Sequence, residues 1–214
     1  MRKTIICYGD SNTYGYDPQS FWGGPYPPDS CWVNIVKNKS GLDLQNFGAC
    51  GREIPHNTSQ IAFVCNQLGA WCKGTEKTEV WIMLGTNDLL ANPGFTAEDA
   101  ANRMEQLLRE LQREASDLHL AVSFRLIAPV RMQAGTWTED VRTIRESARL
   151  DEAYRALAAR LAVDCTCAGA WDVPLSADGV HFTEEGHRIF AERLLRETGR
   201  NDFICSDDKS YKKD

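Results

Sequence analysis

A serine, a histidine and an aspartate in two distant stretches of the chain have side chains suited to nucleophilic catalysis. Ser11 follows an apolar run rich in β-forming residues at positions 5–8, which predicts a buried strand that ends at Gly9. Asp178 and His181 lie close together near the other end of the chain. A serine hydroxyl is a weak nucleophile that needs a base, and the base needs a third group to orient it. The pattern therefore predicts Ser11 as nucleophile, His181 as base and Asp178 as the group that holds the imidazole.

Two further turns carry groups that could stabilise the negative charge formed in such a reaction. A tetrahedral oxyanion requires preorganised hydrogen-bond donors. The backbone N–H groups of Ser11 and Gly51 and the side-chain amide of Asn87 are suitable donors, and a glycine lets the backbone approach a substrate closely. Asp10, directly before the serine, is predicted to support the same turn.

Each of these features also has a plain structural explanation. Ser11 and Asn87 could simply end strands, because Ser, Asn and Asp favour turns. Gly51 could serve a backbone with positive φ, and His181 could be a surface residue. What favours a site is that His181 alone among the histidines has an aspartate beside it on a loop expected at the active edge. The other histidines are predicted in a loop, at a strand start and on a polar helix face: His56, His119 and His187.

The elements that must position these residues alternate between strands and helices. Apolar or alternating stretches predict five strands, and apolar residues at helical spacing predict five helices. The alternation predicts an α/β fold with a five-stranded parallel sheet and helices on both faces, and ligand crevices form at the carboxyl ends of such strands. The predicted strands lie at about 5–8, 42–47, 80–84, 120–130 and 163–165, and the predicted helices at about 30–39, 58–71, 96–111, 138–161 and 183–195.

Length and composition exclude several classes of protein. A chain of 214 residues without a repeat or a break in composition predicts one domain over residues 1–200, followed by a polar, frayed tail at 201–214. The net charge of −6 argues against a nucleic-acid partner, and no apolar run is long enough to cross a membrane. The eight cysteines lack CxxC spacing, so neither a metal nor another cofactor is expected. Reduced thiols and the absence of a signal peptide predict a cytoplasmic protein.

Four short blocks resemble, in order, those of the SGNH, or GDSL, hydrolase family. They are Gly9-Asp10-Ser11, Gly51, Gly85-Thr86-Asn87-Asp88 and Asp178-x-x-His181, and together they span most of the chain. The resemblance implies a flavodoxin-like three-layer α/β/α sandwich and ester hydrolysis through an acyl-serine. It also implies that Ser11 is the nucleophile, that Ser11, Gly51 and Asn87 form the oxyanion hole, and that Asp178 and His181 are the acid–base pair.

Within that family, two stretches are similar to the bacterial arylesterase and acyltransferase branch. These are positions 9–18 and the turn Asn46-x-Gly48-x-x-Gly51-Arg52. Glu53 departs from the hydroxyl residue often found after that arginine. The departure bears on the substrate and leaves the catalytic set unchanged.

The loop after the serine suggests what the substrate is. Residues 14–28 are crowded with rings and prolines, which predicts a small-molecule ester with a short acyl group. A carbohydrate deacetylase or an acyltransferase could use the same site. A non-catalytic small-ligand binding module and a flavodoxin-type phosphate or nucleotide binder are further alternatives, although the chain lacks GxGxxG and P-loop spacing. Homo-oligomer formation is left open. Candidate pocket residues, which could equally be packing residues, are Tyr14, Tyr16, Trp22, Trp137 and Trp171.

Overall fold

A sheet of five strands forms the centre of the computed structural model, which describes residues 3–200. The strands are β1 (Lys3–Gly9), β2 (Asp43–Gly48), β3 (Lys77–Met83), β4 (Val122–Ala128) and β5 (Asp164–Cys167). Their order across the sheet is β2-β1-β3-β4-β5, and every neighbouring pair is parallel. The predicted five-stranded parallel sheet is therefore confirmed. The tail predicted at 201–214 lies outside the described residues.

Helices follow the strands along the chain. They are α1 (Ser11–Tyr14), α2 (Trp32–Ser40), α3 (Thr58–Trp71), α4 (Thr86–Ala91), α5 (Ala97–Asp117), α6 (Val141–Leu161) and α7 (Glu184–Glu197). The five longer ones correspond to the predicted helices. The short helices α1 and α4 were expected to be turns, because segments of four and six residues are too short to show an apolar period. Helix α6 begins after the expected Thr138, because Asp140 is its N-cap and the Asp140 side chain accepts a hydrogen bond from the Arg142 N–H.

Two apolar cores lie on opposite faces of the sheet. One joins the sheet to α3, α5 and α6, and the other joins it to α2 and α7. Adjacent strand residues such as Ile5 and Ile6 point into different cores and are both fully buried. This explains why the central strands are apolar without alternation. Each such side chain stabilises the fold by about 1.5–3 kcal/mol through burial. Helices pack on both faces of the sheet, so the predicted three-layer α/β/α sandwich is confirmed.

The path of the chain places the predicted site at one edge of the sheet. From β1 the chain moves outward to the edge strand β2, and it then returns to β3 on the other side of β1. In open α/β sheets a crevice forms where the strand order reverses in this way. Ser11, Gly51 and Asn87 all follow the carboxyl ends of these three strands. No helix within residues 3–200 has the length and apolar character needed to cross a membrane.

Candidate active site

Ser11, His181 and Asp178 form a continuous hydrogen-bonded chain. His181 Nε2 lies 3.0 Å from Ser11 Oγ, and His181 Nδ1 lies 2.8 Å from Asp178 Oδ2. All three residues are buried. Residues at opposite ends of the sequence thus meet in the geometry in which an imidazole can remove a proton from a serine hydroxyl.

Asp178 is held as a carboxylate by the turn in which it lies. Its Oδ1 accepts hydrogen bonds from the N–H groups of Val180 and His181, at 2.8 and 2.9 Å. Burial alone would raise the pKa of Asp178, but these hydrogen bonds and the imidazole keep it below its usual value. Oδ2 is then left to the imidazole, which fixes the orientation of the His181 ring.

The serine is presented by the first turn of α1. Asp10 is the N-cap of this helix, and its Oδ1 accepts the Asn12 N–H at 3.0 Å. Asp10 is itself buried, and burial raises its pKa to about 7 against the opposing effects of the Asn12 N–H and the Arg52 charge. Ser11 therefore lies at the sheet edge on a turn that Asp10 caps. The pKa of the Asp10 carboxyl group lies near neutral pH.

Asn12 joins the serine turn to the histidine loop, and the sequence analysis did not identify it. Its Nδ2 donates to the carbonyl of Val180 at 3.1 Å, and its Oδ1 accepts from Phe182 N–H at 2.9 Å. These two residues flank His181 on either side. One amide side chain therefore fixes the position of the His181 loop relative to Ser11.

The predicted oxyanion donors lie on the other side of Ser11. Gly51 has φ of +70°, and a Cβ at this position would project into open space. The glycine is therefore required by its backbone conformation, and its surroundings leave room for a substrate. Asn87 Nδ2 donates to the carbonyl of Arg52 at 3.0 Å. An amide nitrogen has two hydrogens, so this contact uses one and fixes the direction of the other.

An ion-pair network holds these donor loops together. Arg103 of α5 contacts Asp88 Oδ1 at 2.7 Å and Glu53 Oε2 at 2.9 Å. Asp88 is 0% exposed, and its Oδ2 accepts the N–H of Ile54 at 3.0 Å. Burial raises the pKa of Asp88, while the Ile54 and Arg103 contacts oppose the increase. We call Glu53, Asp88 and Arg103 the Arg103 network; it links residues beside Gly51 to residues beside Asn87.

Glu53 has a clear role in this network although it departs from the family pattern. Besides Arg103, it accepts a hydrogen bond from Asn92 Nδ2 at 3.0 Å. These contacts lower the pKa of Glu53 although burial alone would raise it. The side chain thus fastens the Gly51 loop to the end of α4.

Two of the five candidate aromatic residues contact the histidine. The ring centroids of Tyr16 and Trp137 lie 4.7 and 5.0 Å from that of His181. Trp137 is 57% exposed, and its backbone N–H donates to the carbonyl of Asp178 at 3.1 Å. The two rings therefore border the His181 side chain.

The other candidate aromatic residues have different surroundings. Trp22 is 89% exposed and meets Phe21 edge to face, and Trp171 packs against Phe190 of α7. The structure does not bring either ring to His181, because Trp22 lies at an exposed loop tip and Trp171 borders an apolar core. Tyr14 lies half-exposed at the end of α1, close in sequence to the serine.

His187 was expected on a polar helix face, and that expectation is wrong. The side chain is 0% exposed, and its Nδ1 accepts the N–H of Trp32 at 3.4 Å. Burial, together with the charge of His181, lowers its pKa to about 3, so this imidazole is neutral. Its environment is apolar because the rings of Tyr26 and Phe182 pack against it. Within residues 3–200 there is no cluster of three or more His, Cys, Asp or Glu side chains that could hold a metal ion.

Comparison with known proteins identifies the family of the chain. The sequence model of the GDSL-like lipase/acylhydrolase family matches residues 7–189, and the chain therefore belongs to that family. It is a carboxylic ester hydrolase of the serine type. Comparison with curated proteins finds no similar sequence.

Solved structures with the same fold cover 92% of the chain. A protein from Agrobacterium tumefaciens assigned as an arylesterase is 26% identical, with a TM-score of 0.78 and 98% of its chain covered. Est24, a carbohydrate acetylesterase from Sinorhizobium meliloti, is 22% identical, with a TM-score of 0.78 and 99% covered. The aryl esterase of M. smegmatis is 23% identical, with a TM-score of 0.76 and 98% covered. Because Est24 and the M. smegmatis enzyme are less than 25% identical to the chain, they show only that the flavodoxin-like fold is shared.

Proposed function

We propose that the chain hydrolyses small carboxylic esters with short acyl groups, with Ser11 as the covalent nucleophile. The observation that carries this proposal is the chain of contacts from Ser11 Oγ through His181 to Asp178, at 3.0 and 2.8 Å. Membership of an ester-hydrolase family supports the reaction class, and this geometry supports the proposed roles.

The reaction begins with proton transfer. His181 Nε2 takes the proton of Ser11 Oγ as the oxygen attacks the ester carbonyl carbon, and the Asp178 carboxylate stabilises the imidazolium that forms. The carbonyl oxygen becomes an oxyanion, which accepts hydrogen bonds from the N–H groups of Ser11 and Gly51 and from Asn87 Nδ2.

The intermediate then collapses. His181 returns its proton to the departing alcohol oxygen, which leaves an acyl group on Ser11. A water molecule attacks this acyl-serine with His181 again acting as base, and the carboxylic acid departs. The free serine and the neutral imidazole are restored.

The acyl group is short because aromatic rings narrow the site. Tyr16 and Trp137 both lie against the His181 ring. A pocket that accepts each added methylene gains about 0.8 kcal/mol by burial. A pocket closed by rings loses more by overpacking. Two structural neighbours, an arylesterase and a carbohydrate acetylesterase, support small substrates.

A nitrophenyl ester series from acetate to palmitate tests the acyl preference. We expect kcat/KM to fall beyond a few carbons, and Trp137→Ala to move the optimum towards longer chains. Trp22→Ala is the matched control, because this exposed ring lies at the loop tip and should leave the profile unchanged. A steady increase through octanoate would refute the short-acyl proposal while leaving the role of Ser11 untouched.

A second candidate function is deacetylation of carbohydrates or acyl transfer to them. It is favoured by the large exposed face of Trp137 beside His181, because sugars stack on aromatic rings at such positions. Acetylated sugars and phenyl acetate should be compared by kcat/KM. A higher value for the sugar, lost in Trp137→Ala, would favour this second candidate.

The remaining proposals concern the whole chain. We propose a single hydrolase domain over residues 1–200 and a polar tail at 201–214. Among the described residues, seven cysteines are free thiols, which supports a reducing compartment such as the cytoplasm. The net charge of −6 supports a small-molecule partner over nucleic acid, and homo-oligomer formation is left open.

A further inference from the structure

Cys165 and Cys167 form a pair of free thiols on the edge strand β5. They are two residues apart in a strand and therefore point to the same face of the sheet, the face packed against α6. Their Sγ atoms are 3.9 Å apart, and Cys167 Sγ lies 3.5 Å from the carbonyl oxygen of Asp151 in α6. Both thiols are partly exposed, and the hydrolytic mechanism uses neither.

The separation of the two sulfurs favours a bridging atom over a disulfide. A disulfide bond is about 2.0 Å long, so the sulfurs would have to move almost 2 Å closer. Residues two apart in a strand also have Cα atoms about 6.6 Å apart, near the upper end of the range for disulfides. By contrast, one atom bonded to both sulfurs holds them roughly 3.4–3.8 Å apart, for bonds of about 2.3 Å and bond angles between pyramidal and tetrahedral. The observed spacing of 3.9 Å is only slightly wider, so the thiols need to move little to share one atom.

The number of ligands at this site determines which kind of bridging atom it can bind. The described residues offer no third His, Cys, Asp or Glu ligand in a metal-binding group with this pair. A zinc ion in a structural site requires four ligands. A monosubstituted trivalent arsenic centre requires only two sulfurs, because its third bond is to carbon. We propose that Cys165 and Cys167 form a dithiol site for trivalent arsenicals of the type R–As(III).

The binding reaction is balanced without an oxidant. An R–As=O group and two thiols give R–As(S–Cys)₂ and water: two As–S bonds form, the As=O bond is replaced, and both thiol protons leave in the water molecule. The hydrogen bond between the thiols assists the first attack, because it lowers the pKa of Cys167 and raises that of Cys165. The second bond is intramolecular, so bidentate binding exceeds binding to a single thiol by about 10²–10⁴-fold.

Titration of the full-length protein with phenylarsine oxide, followed by intact mass spectrometry, tests the proposal. We expect one phenylarsenic group per chain, bound with the loss of two hydrogens. The adduct should survive an excess of 2-mercaptoethanol and be removed by 2,3-dimercaptopropanol, because only a dithiol replaces both bonds. Cys165→Ser, Cys167→Ser and the corresponding alanine variants should each weaken apparent affinity by about 10²-fold or more.

Matched controls use cysteines that do not belong to the proposed pair. Cys50→Ser and Cys72→Ser should keep the monothiol-resistant adduct, as should Cys205→Ser, whose position lies outside the described residues. Hydrolysis of nitrophenyl acetate reports that each variant is folded, since none of these residues belongs to the proposed catalytic set. An unchanged adduct in active Cys165 and Cys167 variants, or no monothiol-resistant adduct in the unaltered protein, overturns the proposal.

Discussion

The two sides of the candidate site are held in place in different ways. On the proton-transfer side, Ser11, His181 and Asp178 contact one another directly and are buried, and Asn12 connects their loops through two backbone hydrogen bonds. On the oxyanion side, Gly51 and Asn87 have no such direct contact in the structure. Their loops are held by the contact of Asn87 with the carbonyl of Arg52 and by the Arg103 network, which includes one fully buried carboxylate.

This difference has a chemical basis. Proton transfer requires the reacting atoms to be within hydrogen-bond distance of each other, so the residues that react also position one another. An oxyanion hole must stay open for a substrate oxygen, so its donors must be fixed from behind by residues that do not react. Substitutions on the proton-transfer side should therefore abolish activity. Substitutions on the oxyanion side, including the Arg103 network, should lower kcat only partly.

Loss of the base should have the largest effect on catalysis. His181→Ala should lower kcat for nitrophenyl acetate by about 10⁴–10⁶-fold, because no other group takes the serine proton. The matched control is His187→Ala, which removes an imidazole that is buried, neutral and outside the Ser11–Asp178 chain. That variant should lose stability and retain far more activity. If His187→Ala were instead the inactive variant, the assignment of the base would be wrong.

Loss of one oxyanion donor should have the next largest effect. Asn87→Ala should lower kcat by about 10²–10³-fold with little change in KM, because the lost hydrogen bond strengthens only in the transition state. Steady-state kinetics with phenyl acetate separate the two constants. An increase in KM at unchanged kcat would argue that Asn87 binds the substrate in its ground state.

The Arg103 network should have a smaller effect on rate and a clear effect on stability. Arg103→Met leaves the buried Asp88 carboxylate without its cation, which costs up to about 3–5 kcal/mol in unfolding free energy. Slight displacement of Gly51 and Asn87 should lower kcat by about 10- to 100-fold. Urea unfolding and steady-state kinetics measure the two effects.

Two further variants show whether Arg103 acts by positioning the donors. Arg103→Lys should recover part of kcat, because it restores the charge but not both contacts. Arg109→Met, which breaks an exposed pair with Glu105 on the same helix, should change neither rate nor stability appreciably. Full activity in a folded Arg103→Met protein would show that the oxyanion donors need no such support.

Asp10 should have the smallest effect on rate and a pH-dependent effect on stability. Its pKa is raised from 3.8 to about 7 in the folded protein, so the folded state favours the neutral carboxyl group. The contribution of Asp10 to stability is therefore fully present below pH 3.8 and is lost as the pH rises to about 7. Asp10→Asn stays neutral and keeps an N-cap acceptor.

As the pH is raised from 4 to 8, the free energy of unfolding of Asp10→Asn should increase relative to that of the unaltered protein, by a few kcal/mol at most. Urea unfolding at the two pH values measures the gain. If the variant and the unaltered protein differed in free energy of unfolding by the same amount at pH 4 and pH 8, the buried carboxyl group would not titrate in this range.

The sequence identified the residues of the proposed catalytic set, but it missed residues that hold them in place. Ser11, Gly51 and Asn87 could be selected because each follows a predicted strand, and Asp178 and His181 because they share one loop. Asn12 and Arg103 were missed, since their partners lie far away in the sequence and only the folded chain brings them together. A contact of this kind leaves no local pattern.

Two other differences between prediction and structure have local causes. The helices α1 and α4 have four and six residues, too few to show the i, i+3, i+4, i+7 repeat of apolar residues, so they resemble turns in the sequence. His187 was placed on a polar face because histidine is polar. However, it shares the buried face of α7 with residues three, four and seven positions further on, namely Phe190, Ala191 and Leu194. Periodicity, given more weight than residue type, would have identified it as a core residue.

Covalent trapping of the nucleophile tests the central claim most directly. The protein is treated with a fluorophosphonate probe, digested and analysed by mass spectrometry, with residual nitrophenyl acetate hydrolysis measured in parallel. We predict one label per chain, on Ser11, with loss of activity in proportion to labelling, and no label or activity in a folded Ser11→Ala variant. Ser59→Ala, which alters an exposed serine of α3, should label and hydrolyse as the unaltered protein does. Labelling of another serine, or full activity in Ser11→Ala, would contradict the account.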